Sequence, residues 1–168
     1  MTEVDLSTYG KKQEVTMEDR FERFSVGMLE ISRYWHKLTG DEMEKYGLKG
    51  THSIYLLTMY RFPEGLTAPR LCELCVRDKA DVSRMMSLME KKGLVRKESV
   101  GKTLYGGVFK LTEEGQEAAR HVSERVRIAV ELAGKDLTKE NRQIFYEALN
   151  QIVENLRTLA KDGIPEER

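Results

Sequence analysis

Cysteine is nearly missing: two in 168 residues, too few for a disulfide framework. Long apolar runs are missing too. No stretch approaches the ~18 consecutive apolar residues of a membrane span. The first fifteen residues, MTEVDLSTYGKKQEV, lack the apolar core of a signal peptide. A surplus of one charge is also absent, since Lys plus Arg and Asp plus Glu number 28 each. No nucleophile motif, phosphate loop or paired-carboxylate pattern occurs, so the sequence does not suggest an enzyme. The three histidines His36, His52 and His121 show no ligand spacing near Cys72 and Cys75. No metal site and no cofactor are therefore expected. These absences point to a soluble, cytoplasmic chain with no membrane partner, of a length suited to one domain with appended helices.

What is present is uneven. From Arg77 to Lys110 there are nine basic and four acidic residues, while both flanks carry more acid than base. A basic middle of this kind suits a polyanion. Met17, Phe21, Phe24, Met28, Ile31, Trp35 and Leu38 recur at spacings of four and three, one stripe of a long amphipathic helix. Gly40, Gly47 and Gly50 then punctuate the chain.

Three short helices follow. In THSIYLLTMYRF, Thr51 or Ser53 is a possible cap, Ile54, Leu57 and Phe62 point to a core, and Phe62–Pro63 ends the helix. Thr67 can cap the next, with Pro69 in its first turn and Leu71, Leu74 and Cys75 facing inward. After the break Arg77–Asp78, Asp78 caps KADVSRMMSLMEKKG. There Val82, Met85, Met86 and Met89 form the inner face and Gly93 a C-terminal stop. The rhythm then changes to a β-hairpin, with strands near Val95–Ser99 and Gly107–Leu111. Thr112 caps a helix running to about Gly134, with Val122, Val126, Ala129 and Ala133 along one stripe. Thr138 opens a last helix striped by Phe145, Leu149, Ile152, Leu156 and Leu159.

The fold class is therefore mainly α. A winged helix-turn-helix core with a β-hairpin wing is flanked by long N- and C-terminal dimerisation helices. The segments are a flexible arm at 1–15, an N-terminal dimerisation helix at 16–47, the winged core at 48–115, C-terminal dimerisation helices at 116–161 and a frayed tail at 162–168. In such a core the second helix of the pair offers its outer face to a DNA groove. That face holds Ala80, Arg84, Ser87 and Lys91, with Asp81 and Ser83 on the flanks and Lys79 near the helix start. Small residues there permit close approach, and Arg84 can fork onto a guanine edge or a phosphate. Arg96, Lys97 and Lys102 of the hairpin could hold phosphates or enter a minor groove. A basic helix face alone is usually just solvated; the order of elements, the cap and the basic hairpin together argue for double-stranded DNA.

The stretch Leu66–Gly115, with LTAPRLCELC, DVSRMMSLMEKKGLV and FKLTEEGQE, resembles the DNA-binding core of the MarR family, the multiple antibiotic resistance type regulators. The last helix, DLTKENRQIFYEALNQIVENL, is similar to that family's final dimerisation helix, and the likeness extends over roughly Val15 to Ala160. The resemblance implies a homodimer on a pseudo-palindromic operator, usually as a repressor. It places Lys79, Asp81, Ser83 and Arg84 in the recognition helix and Lys97 where a basic residue enters the wing. The family's Asp-x-Arg wing motif is replaced here by Thr103-Leu104-Tyr105 followed by Gly106-Gly107. Lys102 then stands in for the missing arginine, on a flexible wing with less minor-groove readout.

The stripe from Met17 to Leu38 spans about 22 residues, roughly 33 Å. With the last helix it exceeds what a small winged core can cover, so a two-fold dimer is expected. Tyr34, Trp35 and His36, with His52, Tyr55 and Tyr60, are candidates to line an aromatic pocket for a small-molecule effector. Core packing plus surface tyrosines is the plainer account of them. Two other functions fit the residues: a winged-helix protein-interaction module without DNA binding, and a thiol redox sensor using Cys72 and Cys75. Small buried core residues explain the two cysteines better.

Overall fold

The computed structural model describes residues 16–99 and 107–166. The expected N-terminal arm, Lys102 and the wing tip lie outside them. The described residues form two compact units that part between Val126 and Arg127.

The first unit opens with α1 (Met17–Glu44). Thr16 accepts from the Asp19 amide while the Asp19 carboxylate accepts from the Thr16 amide, a reciprocal cap. Gly40 does not end this helix, contrary to expectation. Thr39 is buried just before it, Met43 is fully buried just after it, and the Thr39 hydroxyl lies 3.3 Å from the Gly50 carbonyl. These tertiary contacts outweigh the ~1 kcal/mol that glycine costs a helix. A Cβ on Gly50 would fall 2.2 Å from the His36 carbonyl oxygen, so only glycine lets the two backbones approach this closely.

A single 3-10 turn, Gly50–His52, leads into α2 (Ser53–Tyr60). Neither Thr51 nor Ser53 caps α2. His52 occupies that position without a side-chain bond, and the Ser53 hydroxyl instead donates to the Gly50 carbonyl at 2.7 Å. Ser53, Tyr55, Leu56, Thr58 and Met59 are buried in α2 whereas Ile54 is 39% exposed, so Ile54 faces outward and not into the expected core. A helix buried on most of its surface has no single apolar stripe to show which residue faces out.

Thr67 caps α3 (Ala68–Cys75), whose Leu71 and Cys75 are buried. Asp78 caps α4 (Lys79–Lys91) by accepting from the Asp81 amide at 2.7 Å. Val82, Met85, Met86 and Met89 all lie in the core, worth about 1.5–3 kcal/mol for each large side chain removed from water. Gly93, at φ +72°, stops the helix. Strands β1 (Val95–Ser99) and β2 (Gly107–Leu111) then pair antiparallel, Val95 opposite Leu111 and Lys97 opposite Phe109. Leu66 adds a short bridge to Phe109, with amide–carbonyl bonds of 3.0 and 2.8 Å in the two directions. This pins the start of α3 against the hairpin.

Thr112 accepts from the Gly115 amide and begins α5 (Glu113–Ala133). Ala118, Ala119 and Val122 close the core of the first unit. In the second unit the Arg142 guanidinium donates to the Gly134 carbonyl at 2.8 Å, tying the turn to α6 (Lys139–Asp162), which Thr138 caps. No described residue of α6 is buried; Phe145, Ile152, Leu156 and Leu159 of its stripe are exposed. In α1, Phe24, Met28, Ile31 and Leu38 are exposed as well, and Trp35 is half-buried.

Candidate nucleic-acid interface

The site is built on α4. Its apolar side is anchored by one valine and three methionines, which leaves Lys79, Ala80, Ser83, Arg84 and Ser87 exposed on the opposite side. The periodicity of the helix thus separates anchor from offered face, and the Asp78 cap fixes where that face begins. Lys79, Ser83 and Ser87 line one wall of a groove of about 370 Å³. Lys97 and Gly107 of the hairpin form another wall, and the start of α3 contributes Thr67 and Pro69. Val82, Met86 and Phe109 supply apolar lining. The Lys97 ammonium lies 5.6 Å from the Phe109 ring centroid, a cation–π contact that holds the lysine beside the groove.

The other expected side chains sit differently. Arg84 is 72% exposed and lies 3.4 Å from the Asp81 carboxylate. Arg96 pairs with Glu98 at 2.8 Å, and Lys110 reaches the same carboxylate at 2.7 Å. Lys110 first, then Arg96, holds the Glu98 carboxyl below the usual glutamate range. The Asp81 carboxylate is turned from the open face toward the core, where the Tyr55 hydroxyl donates to it at 2.9 Å. Arg77 lies 3.7 Å from the same group. Thr67 and Pro69 as groove residues, and Arg77 as a neighbour of the first turn of α4, are not anticipated by the sequence pattern. Arg77 stands four positions before Asp81, a spacing that could have signalled the pair.

None of the six aromatic and histidine candidates lines this groove. Tyr34 is exposed beneath the Arg33 guanidinium, Trp35 and His36 are half-buried, and His52 accepts from the Lys49 amide at 3.0 Å. Burial, then the nearby Lys49, lowers the His52 pKa. Tyr55 is 1% exposed. Tyr60 lines a separate cavity of about 70 Å³ with Met59, Pro63, Leu111 and Gln116. Cys75 is buried, which pushes its thiol pKa up, and Cys72 is half-buried. Among the described residues, no group of three histidine, cysteine or acidic side chains could hold a metal ion. No described helix is long and apolar enough to cross a membrane.

Two helices joined by a tight turn, the second free on its outer side, followed by a β-hairpin, define a winged helix-turn-helix protein. Residues 46–103 match the model of the MarR family, so the winged core is of MarR type, as the sequence resemblance implied. Solved structures share the fold over most of the chain. A MarR family transcriptional regulator from Listeria monocytogenes, complexed with a 26-mer DNA, aligns at TM-score 0.72 and 21% identity over 86% of this chain and 97% of its own. A MarR protein from Peptoclostridium difficile aligns at TM-score 0.73 and 20% identity, covering 88% and 94%. The S. aureus MepR–DNA complex aligns at TM-score 0.72 and 16% identity, covering 79% and 97%. No curated protein matches the sequence.

Proposed function

We propose that the chain is a DNA-binding transcriptional regulator that reads a pseudo-palindromic operator as a homodimer. The observation that carries this reading is the outer face of α4. Lys79, Ser83, Arg84 and Ser87 are exposed along it, and the Lys97 ammonium stands across the groove. Side chains this small beside this much positive charge suit the close approach of a phosphate-lined groove. The Listeria and S. aureus proteins of the same fold were solved with DNA, which agrees with it.

The homodimer is supported by the bare apolar faces of α1 and α6. Folded monomers seldom leave such faces in water, and a two-fold axis would give each a self-complementary partner. Repression relieved by a small molecule follows from the family resemblance. An effector that favours the non-binding form by a few kcal/mol suffices to empty the operator.

Selection of bound duplexes from a random pool tests the reading. Two half-sites centred about one helical turn apart are expected, with Arg84→Ala losing preference at one position in each. A pool with no enriched sequence, and no retention of random duplex at low salt, would sink the regulator account in favour of a protein-interaction module.

A further inference from the structure

An acidic residue in the first turn of a DNA-facing helix is a problem for that helix, because a carboxylate repels phosphate. The position of Asp81 resolves it. Its Oδ2 accepts from the Tyr55 hydroxyl at 2.9 Å and lies 3.7 Å from Arg77, while Oδ1 lies 3.4 Å from Arg84. Tyr55 comes from α2, 26 residues earlier in the chain, and its ring is fixed in the core at 1% exposure. The Asp81 side chain is 34% exposed and the Arg84 side chain 72%, so the three groups run from interior to surface.

We propose that Tyr55 and Asp81 are positioning residues for DNA reading: the buried phenol holds the carboxylate inward, and the carboxylate holds Arg84, with Arg77 beside it, at the surface offered to DNA. This rests on the functional reading above and deepens it. Tyr55 cannot touch a duplex from the core, so it acts only through Asp81. Three features agree. The Tyr55 hydrogen bond, then Arg84 and Arg77, keep the Asp81 carboxyl below the usual aspartate range, so it carries its charge at neutral pH. Both oxygens of Asp81 have partners on the protein, which disfavours a direct role in accepting from a cytosine amine. A guanidinium tethered at its base also loses less rotamer freedom when it docks.

The test uses a duplex selected by the parent chain, titrated with the parent, Tyr55→Phe, Arg84→Ala and the double variant at one salt concentration. Tyr55→Phe is expected to bind about tenfold more weakly and to lose discrimination at the base position that Arg84→Ala also relaxes. In the Arg84→Ala background the same change is expected to matter by about twofold or less, because the coupled group is gone. Should Tyr55→Phe lower the melting temperature enough to confuse the titration, Asp81→Asn leaves the phenol in place and is expected to show the same dependence on Arg84. Equal binding by Tyr55→Phe and the parent, or losses that simply multiply in the double variant, would overturn the positioning role while leaving DNA binding intact. A parent chain that selects no duplex would overturn the DNA-reading face itself, and this inference with it.

Discussion

The turn between α3 and α4 contains a strained residue whose relief can be measured. Val76 sits at φ 53°, ψ 53°, the left-handed region, and no other described non-glycine residue has positive φ. Its amide bonds the Glu73 carbonyl at 3.3 Å and the Arg77 amide bonds the Cys72 carbonyl at 3.0 Å, the two bonds of a Schellman ending. That ending favours glycine. An L-residue in this region costs about 1–2 kcal/mol, and a β-branched side chain is a marked outlier there. Val76→Gly relieves this cost but adds about 0.5–1 kcal/mol of chain entropy to the unfolded state. The valine side chain is 75% exposed, so little burial is lost. The net expectation is a gain of roughly 0.8 kcal/mol, from the same two estimates. In urea, followed by circular dichroism at fixed protein concentration, the midpoint should rise by about 0.4 M with an unchanged slope. Val76→Asn should gain a similar amount, since asparagine tolerates this backbone, and Val76→Ala should gain less because it keeps the Cβ. A lower midpoint for Val76→Gly would refute the strain argument and mean that the valine side chain has a stabilising role.

Three further outcomes follow from named contacts. Gly115→Ala would place a Cβ 1.9 Å from the Leu94 carbonyl oxygen, and should cost about 3 kcal/mol or more in the same urea assay. Glu42 bonds Lys45 at 2.6 Å and Arg125 at 2.8 Å, and these two partners, Lys45 first, hold its carboxyl below 4.5. A depressed carboxyl stabilises fully above its unfolded value and loses that contribution as pH falls through its folded value. The stability gap between the parent and Glu42→Gln should therefore shrink as pH drops below 4.5; a gap that stays constant would remove the pair from the acid dependence. Burial and a raised thiol pKa protect Cys75, so in the native chain a thiol reagent should label it far more slowly than after unfolding. Equally fast labelling in both states would revive the redox-sensor reading.

The elements easiest to read in the sequence were those set by local chemistry. Thr67, Asp78 and Thr138 cap their helices through their own side chains, and capping needs only a few adjacent residues. The hairpin strands could be read because glycine and alternation bound them. Gly40 misled because its cost is local, whereas the contacts of Thr39 and Met43 that override it come from the fold. Ile54 misled because α2 is buried on most sides. In the candidate site, the outer face of α4 was legible from period alone. The inward turn of Asp81 was not, since its partner Tyr55 lies 26 residues away and an aromatic residue on a short helix does not announce a hydrogen bond.

In the proposed function the wet side of α4, with Lys97 across the groove, meets a DNA duplex. Fluorescence-anisotropy titration of a selected duplex at two salt concentrations probes this contact. Tight, sequence-preferring binding is expected, with log affinity falling with log salt at about −0.9 per phosphate contacted and a shallower slope for Lys97→Ala. Affinity that ignores both sequence and salt, or a Lys97→Ala variant with the parent's slope and affinity, would rule out this face as the DNA contact.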